Sequence, residues 1–257
     1  MPEHDPERAA PAWLTAGGTD DEVLGLLKTG KEAEVFLVER HTLDRSRAAT
    51  LAHKRYRPAE LTKGLLEAGG FSRGTTFTAD AEYQAGRGFR HSRDARAVKR
   101  RSAHGRRVVA ARWPRDEWDT LVRAYEAGVT VPYPVEFTGD GTLMEFLGTP
   151  SGVAAPRLVS AQLTGDELAE AYPQVMADLA ALTRAGLAHA DLSPYNLLWW
   201  RDRLWMIDFP QAVDLLQNPH GFELLHHDVI TMTTWFARKG IPCDGEELYA
   251  RLLSEAF

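Results

Sequence analysis

The sequence predicts an α+β protein of two lobes, a β-rich first half joined to a mostly helical second half. Two observations carry this. Three short apolar runs separated by polar turns lie between Val23 and Tyr56, and apolar residues recur at helical spacing from Leu168 onward. At 257 residues and 44% hydrophobic, the chain can bury a substantial core without cross-links.

Residues 1–20, opening MPEHDPERAAP, read as an irregular leader with neither a basic start nor an apolar stretch of signal-peptide length. The first lobe is expected over 21–147. Val23 to Lys28, Val35 to Arg40 and Thr50 to Tyr56 are read as three consecutive antiparallel strands. From about Pro58 to Arg112, Gly69, Gly70, Gly74, Gly86, Gly88 and Gly105 break a weakly periodic stretch, which predicts a long insertion. Trp118, Leu121, Val122 and Tyr125 then fall at i, i+3, i+4 and i+7, with Gly128 placed to cap a helix that Glu117 opens. Two strands follow at Val135 to Thr138 and Thr142 to Phe146.

The second lobe is expected over 148–257. Leu168, Tyr172, Val175, Leu179 and Leu182 mark a helix closed by Gly186, with Pro173 tolerable if the helix starts nearby. Asn196 to Trp200 and Leu204 to Asp208 read as a hairpin turning at Arg201-Asp202-Arg203. Phe222, Leu225, Val229, Met232 and Phe236 make a further stripe, and Leu248 and Leu252 a short last one.

Charge and composition narrow the function classes. No apolar run approaches the about 18 residues that a membrane span needs, which removes a membrane-spanning role. One cysteine, Cys243, excludes an internal disulfide and a Cys-rich zinc cluster, and fits a reducing, cytoplasmic setting. The net charge of −6 hides a block from Arg87 to Arg115 with ten Arg and one Lys against Asp94 alone. Such a block is either a solvated basic loop or a patch for an anionic partner, RNA or a ribosomal particle included.

Chemistry is concentrated in His189-Ala190-Asp191-Leu192-Ser193-Pro194-Tyr195-Asn196 and, one hairpin later, Ile207-Asp208-Phe209. Asp191, Asn196 and Asp208 can converge at the ends of short buried strands. A few oxygen donors beside phosphate oxygens are what Mg²⁺ takes, with Mn²⁺ as a substitute. Phosphoryl transfer from ATP follows as the expected reaction, with Asp191 as base and Asn196 and Asp208 as metal ligands. Asp and Asn are also ordinary turn residues, so the HxDxxxxN spacing alone is only moderately specific. Lys54 in the third strand and Glu117 complete the pattern, because a strand Lys aimed by a helix carboxylate can hold the α- and β-phosphates. Thr29-Gly30-Lys31-Glu32 joins the first two strands, where backbone N–H groups can face a phosphate. It is neither G-x-G-x-x-G nor a Walker loop.

In this order the motifs resemble the RIO family of atypical protein kinases, from about Leu27 to Phe236. Thr29 to Val35 is similar to that family's shortened phosphate loop, Tyr83 to Arg90 to its flexible-loop motif, and Trp113 to Pro134 to its regulatory-helix segment. Met144 to Gly148 resembles its hinge. The resemblance implies a two-lobed protein-kinase-like fold whose reduced helical lobe lacks a standard activation segment. It implies nucleotide contacts from Thr29, Gly30, Lys31, Glu32, Val35, Ala52 and Lys54, with adenine at Met144, Glu145 and Leu147. Glu117, Asn196 and Asp208 would complete that site. It further implies Ser/Thr-type transfer to a protein substrate or to the chain itself, and an Asp208 able to accept phosphate in an ATPase-like cycle. Departures are Ala190 where the family usually has Gly, Pro194 where it usually has an acidic residue, and Phe209-Pro210 after the metal Asp. The short leader places the chain near the branch without a winged-helix domain, as a compact bacterial-like member. A small-molecule kinase of the aminoglycoside or choline type shares the HxDxxxxN and Ile-Asp-Phe motifs and stands as the alternative. A weakly catalytic RNA-binding module is the third reading.

Overall fold

The computed structural model describes residues 9–30, 33–57 and 103–256, with side chains undescribed at 103–113 and 256. Five antiparallel strands form the first sheet, in the order β1-β2-β3-β5-β4. They are β1 (Thr19–Thr29), β2 (Ala33–Thr42), β3 (Ala48–Tyr56), β4 (Pro134–Phe137) and β5 (Gly141–Glu145), with helix α1 (Ala103–Glu126) between β3 and β4. Beyond the sheet come α2 (Gly165–Arg184), β6 (Leu187–Ala188), β7 (Leu197–Trp200), β8 (Arg203–Met206), β9 (Val213–Asp214), α3 (Gly221–Arg238) and α4 (Gly245–Ala256). The two-lobed, protein-kinase-like architecture expected of the chain is therefore the one it adopts. Among the described residues no helix is long and apolar enough to cross a membrane.

Period-2 alternation decides what each face of the sheet does. Val38, Leu51, Val135 and Leu143 point to one face, where Leu14 joins them in a small buried cluster. Ala33, Val35, Ala52, Lys54, Thr142 and Met144 point to the other, which faces a cleft. Register then fixes the neighbours of Lys54, which lies opposite Val35 on one side and Thr142 on the other.

Three expectations are corrected. The segment before residue 21 is not irregular throughout: Ala12–Leu14 form a 3₁₀ turn that inserts the 1%-exposed Leu14 under the sheet, and β1 begins at Thr19. Glu117 does not open its helix, since α1 starts at Ala103 and runs through Pro114, and so takes residues 103–112 out of the insertion. The Gly and Arg content of that stretch masked the helical period. Pro173 is not near a helix start either, because α2 begins at Gly165 with a capping box between Thr164 and Glu167. That box, T-x-x-E, was readable in the sequence as the true start.

The second lobe holds the main core. Val175, Leu179 and Leu182 of α2, Val229, Met232 and Phe236 of α3, and Leu252 of α4 are at most 1% exposed and meet Leu197 and Leu204 of the β7–β8 hairpin. Leu121 and Ala124 of α1 belong to the same cluster, so α1 is packed against this lobe while its Glu117 faces the sheet. Gly128, with φ of 81°, ends α1 in the left-handed conformation that glycine adopts without strain.

Candidate active site

A cleft of about 630 Å³ lies between the sheet and the helical lobe. Lys54 stands at its centre. Its Nζ donates to Glu117 Oε1 at 2.5 Å and to Asp208 Oδ1 at 2.6 Å, joining β3, α1 and the loop after β8. Burial draws a lone ammonium down, but the Glu117 and Asp208 carboxylates together hold Lys54 well above its ordinary value. Asp208 is subject to the opposite pull: burial would raise it, yet the Lys54 charge and hydrogen bond keep it below the usual carboxylate range. Both groups are therefore charged at neutral pH.

Glu117 is fixed from three directions. Besides Lys54, it accepts the Tyr56 hydroxyl on Oε2 and the Phe209 backbone N–H on Oε1 at 3.2 Å. Buried at 5% exposure, it needs all of these partners, since a desolvated carboxylate without donors is costly.

The segment His189 to Asn196 lies at the other side of the cleft. Asn196 Nδ2 donates to the Asp191 backbone carbonyl at 2.8 Å and to Asp191 Oδ2 at 3.3 Å. Because a carbonyl only accepts, this fixes the amide with Oδ1 as its remaining acceptor. Ile207 N donates to Asn196 O at 3.0 Å and His189 Nε2 donates to Ile207 O at 3.1 Å, so the two loops that carry Asn196 and Asp208 are tied together. Asp191 is exposed to the cleft, and burial pushes its carboxyl up, with His189 and the Asn196 hydrogen bond pulling it partway back.

Asp228 of α3 secures this loop from beneath. Fully buried, it accepts Ala190 N on Oδ2 and Leu192 N on Oδ1, each at 2.8 Å. Ala190 and Asp208 both have positive φ, 65° and 73°, the left-handed conformation that side chains other than glycine rarely take. Strain of this kind persists only where surrounding bonds over-determine it.

Of the residues anticipated from sequence, Gly30, Val35, Ala52, Lys54, Glu117, Met144, Glu145, Leu147, Asp191 and Asp208 line the cleft. Thr29 ends β1 beside it, and Asn196 lies one hydrogen bond behind Asp191. Lys31, Glu32, the Tyr83–Arg90 motif and residues 87–102 of the basic block lie outside the described residues. Tyr56, Asp228, Lys28 and Arg157 were missed. Tyr56 had a signal, lying two residues beyond Lys54 and so on the same strand face. Asp228 had one too, as a carboxylate inside the apolar stripe of Leu224, Leu225 and Val229.

The donor set fits a divalent metal. Asn196 Oδ1 and Asp208 Oδ2 are the oxygens left over once Asp191 and Lys54 have taken the other atoms of those side chains, and Mg²⁺ favours few protein oxygens completed by phosphate. A strand Lys held by a helix Glu, a loop Asp–Asn pair and a second Asp define the class: a cleft arranged like that of a protein kinase. A family model for the RIO domain matches residues 76–248, and the chain belongs to that family. It is 35% identical over 164 residues to the RIO-type serine/threonine-protein kinase Rio1 of Haloferax volcanii, covering 63% of this chain and 55% of that one. The serine/threonine-protein kinase rio1 of Schizosaccharomyces pombe is 29% identical over 232 residues, 90% of this chain and 41% of its own length. RIO3 of Mus musculus is 33% identical over 149 residues, 58% and 28% respectively. The chain thus spans about half or less of the curated relatives it matches.

Proposed function

We propose that this chain is an ATP- and Mg²⁺-dependent RIO-type serine/threonine protein kinase, with a protein substrate or the chain itself as acceptor. The observation that carries the reading is Lys54 held at 2.5 Å from Glu117 and 2.6 Å from Asp208, within one cleft that Asp191 also lines.

In this reading the adenine lies between Val35 and Ala52 above and Leu198 and Ile207 below, against the backbone of Met144 to Leu147. The Leu147 carbonyl already accepts Ala155 N at 2.8 Å, so Leu147 offers its N–H. Lys54, kept charged and aimed by Glu117, neutralises the α- and β-phosphates. Asn196 and Asp208 would hold the metal, which would supply charge neutralisation at the phosphates. Asp191, steadied by Asn196, has Oδ1 without a protein partner among the described residues, and with it takes the proton of the attacking hydroxyl. The bond from that oxygen to the γ-phosphorus forms as the bond to the β-bridging oxygen breaks, and ADP leaves.

A second reading has an observation of its own. Asp208 is charged, and its side chain is 39% exposed with Oδ1 tied to Lys54, so Oδ2 can itself attack the γ-phosphorus and be released by water. Incubation with γ-labelled ATP and Mg²⁺ separates the two. Alkali-sensitive, hydroxylamine-stable label on Ser or Thr, lost in Asp191→Asn, supports the kinase. Hydroxylamine-labile label lost in Asp208→Asn supports the acyl-phosphate cycle. Neither label nor phosphate release, with no ATP binding, would overturn both. For an RNA partner of the basic block, Arg115 is a poor contributor, since it pairs with Asp119 at 3.0 Å and lies over the Phe137 ring.

A further inference from the structure

Lys54 brings one positive charge to the cleft and meets two carboxylates, so it leaves no surplus there. Two further cations in the cleft were flagged by no motif. Lys28 and Arg157 both line the cleft, one from β1 and the other from the segment between β5 and α2. Neither has a carboxylate within ion-pair distance among the described residues.

Local structure explains why each faces inward. The β1–β2 register slips between Leu26 and Lys28, so Leu26 pairs with Phe36 and Lys28 with Val35, which leaves Leu27 as the extra residue of a bulge. A bulge re-aims the side chains around it, and here it puts both Leu27 and Lys28 on the cleft wall with Val35. Arg157 is set against the catalytic loop: Leu158 N donates to Leu197 O at 2.8 Å and Val159 N to Pro194 O at 3.1 Å. Pro194 brings no carboxylate there. The two cations are close enough to feel one another, since burial first and then the Arg157 charge hold the Lys28 ammonium below its ordinary value.

We propose that Lys28 and Arg157 form a phosphate clamp, one jaw from each lobe, that binds the polyphosphate of the nucleotide in the cleft; this rests on the kinase reading above. An ammonium point charge beside the Thr29-Gly30 turn and a guanidinium fork opposite it suit a multiply charged anion that can bridge them. The clamp makes affinity depend on phosphate count, independently of Lys54.

The test is calorimetric titration of wild type, Lys28→Ser, Arg157→Gln and the double variant with adenosine, Mg-ATP and inorganic tripolyphosphate, each at low and high salt. Adenosine binding reports that the variants are folded and the adenine pocket is intact. The expected result is an unchanged Kd for adenosine, with ATP and tripolyphosphate weakened about tenfold per cation removed and a shallower salt dependence. Equal weakening of adenosine and ATP, or no change in either, would overturn the clamp while leaving the kinase reading standing. Tripolyphosphate binding that needs both cations, in a wild type that binds neither ATP nor adenosine, would sink the kinase reading and keep the anion site. A wild type that binds none of the three would remove both.

Discussion

Asp228 Oδ1 accepts the backbone N–H of Leu192 at 2.8 Å from a position with no solvent exposure, so a carboxylate in the helical core sets the path of the loop that carries Asp191. Its Oδ2 does the same for Ala190. Truncation to Ala would strand two buried N–H groups, each costing about 1–3 kcal/mol, so Asp228→Ala should lose about 3 kcal/mol or more of stability. Asn keeps one acceptor oxygen and should lose about half as much. Urea unfolding measures both. In the Asn variant, phosphoryl transfer should fall more than ATP affinity, because the loop carries Asp191 and the adenine wall does not depend on it. Equal stability of wild type and the Ala variant would refute the anchoring role.

Ala190 offers a finer test, because three terms meet there. Its φ of 65° costs an L-residue about 1–2 kcal/mol, whereas glycine adopts it freely. Against that relief stand glycine's chain entropy, about 0.5–1 kcal/mol, and loss of a methyl only 4% exposed, about 0.8 kcal/mol. Ala190→Gly should therefore be neutral to within about 0.5 kcal/mol. Ala171, fully buried in α2, has no strain to release, so Ala171→Gly should cost about 1–2 kcal/mol. Comparable losses at the two positions would show that the loop conformation is not strained.

Most of the site was legible because its pieces are local. HxDxxxxN, Ile-Asp and the hairpin between them fit within twenty residues of sequence, and the hairpin register alone brings Asn196 and Asp208 together. Lys54 was legible through chain order. What escaped reading depends on contacts distant in sequence: Tyr56 meets Glu117 across 61 positions and Asp228 meets Ala190 across 38. Lys28 escaped for a different reason. Strict alternation along β1 would not place it and Leu27 together on the cleft wall, and a bulge leaves no mark in composition. The start of α1 was misplaced because its first ten residues carry four of the glycines and arginines that elsewhere signal loops.

Tyr56→Phe isolates the orientation of Glu117. The hydroxyl donates to Glu117 Oε2 in a buried setting, and burial followed by the Glu117 charge holds the phenol well above its ordinary value, so it is always the donor. Removing it leaves one carboxylate oxygen unsatisfied, at a cost of about 1–2 kcal/mol in stability. Lys54 remains paired with Glu117, but less tightly aimed, so KM for ATP should rise several-fold. Thermal unfolding and initial-rate kinetics measure the two effects, and an unchanged KM would separate Tyr56 from nucleotide binding.

Asp191 links catalysis to stability with opposite signs. Burial raises its folded carboxyl above the unfolded value of about 3.9, so the fold favours the protonated form and ionisation works against it. The stability this group contributes is fully present below that unfolded value and is lost as pH rises through the folded one. As the proposed base, Asp191 must be charged, so the acid limb of kcat/KM should lie above pH ~4, the ordinary carboxylate range. Asp191→Asn should abolish transfer and also remove the ionisation penalty. Its urea midpoint should match wild type near pH 3 and exceed it at pH 7. An Asn variant less stable than wild type at pH 7, or an acid limb at or below the ordinary carboxylate range, would mean that Asp191 is stabilised as a carboxylate and is not held in reserve as a base.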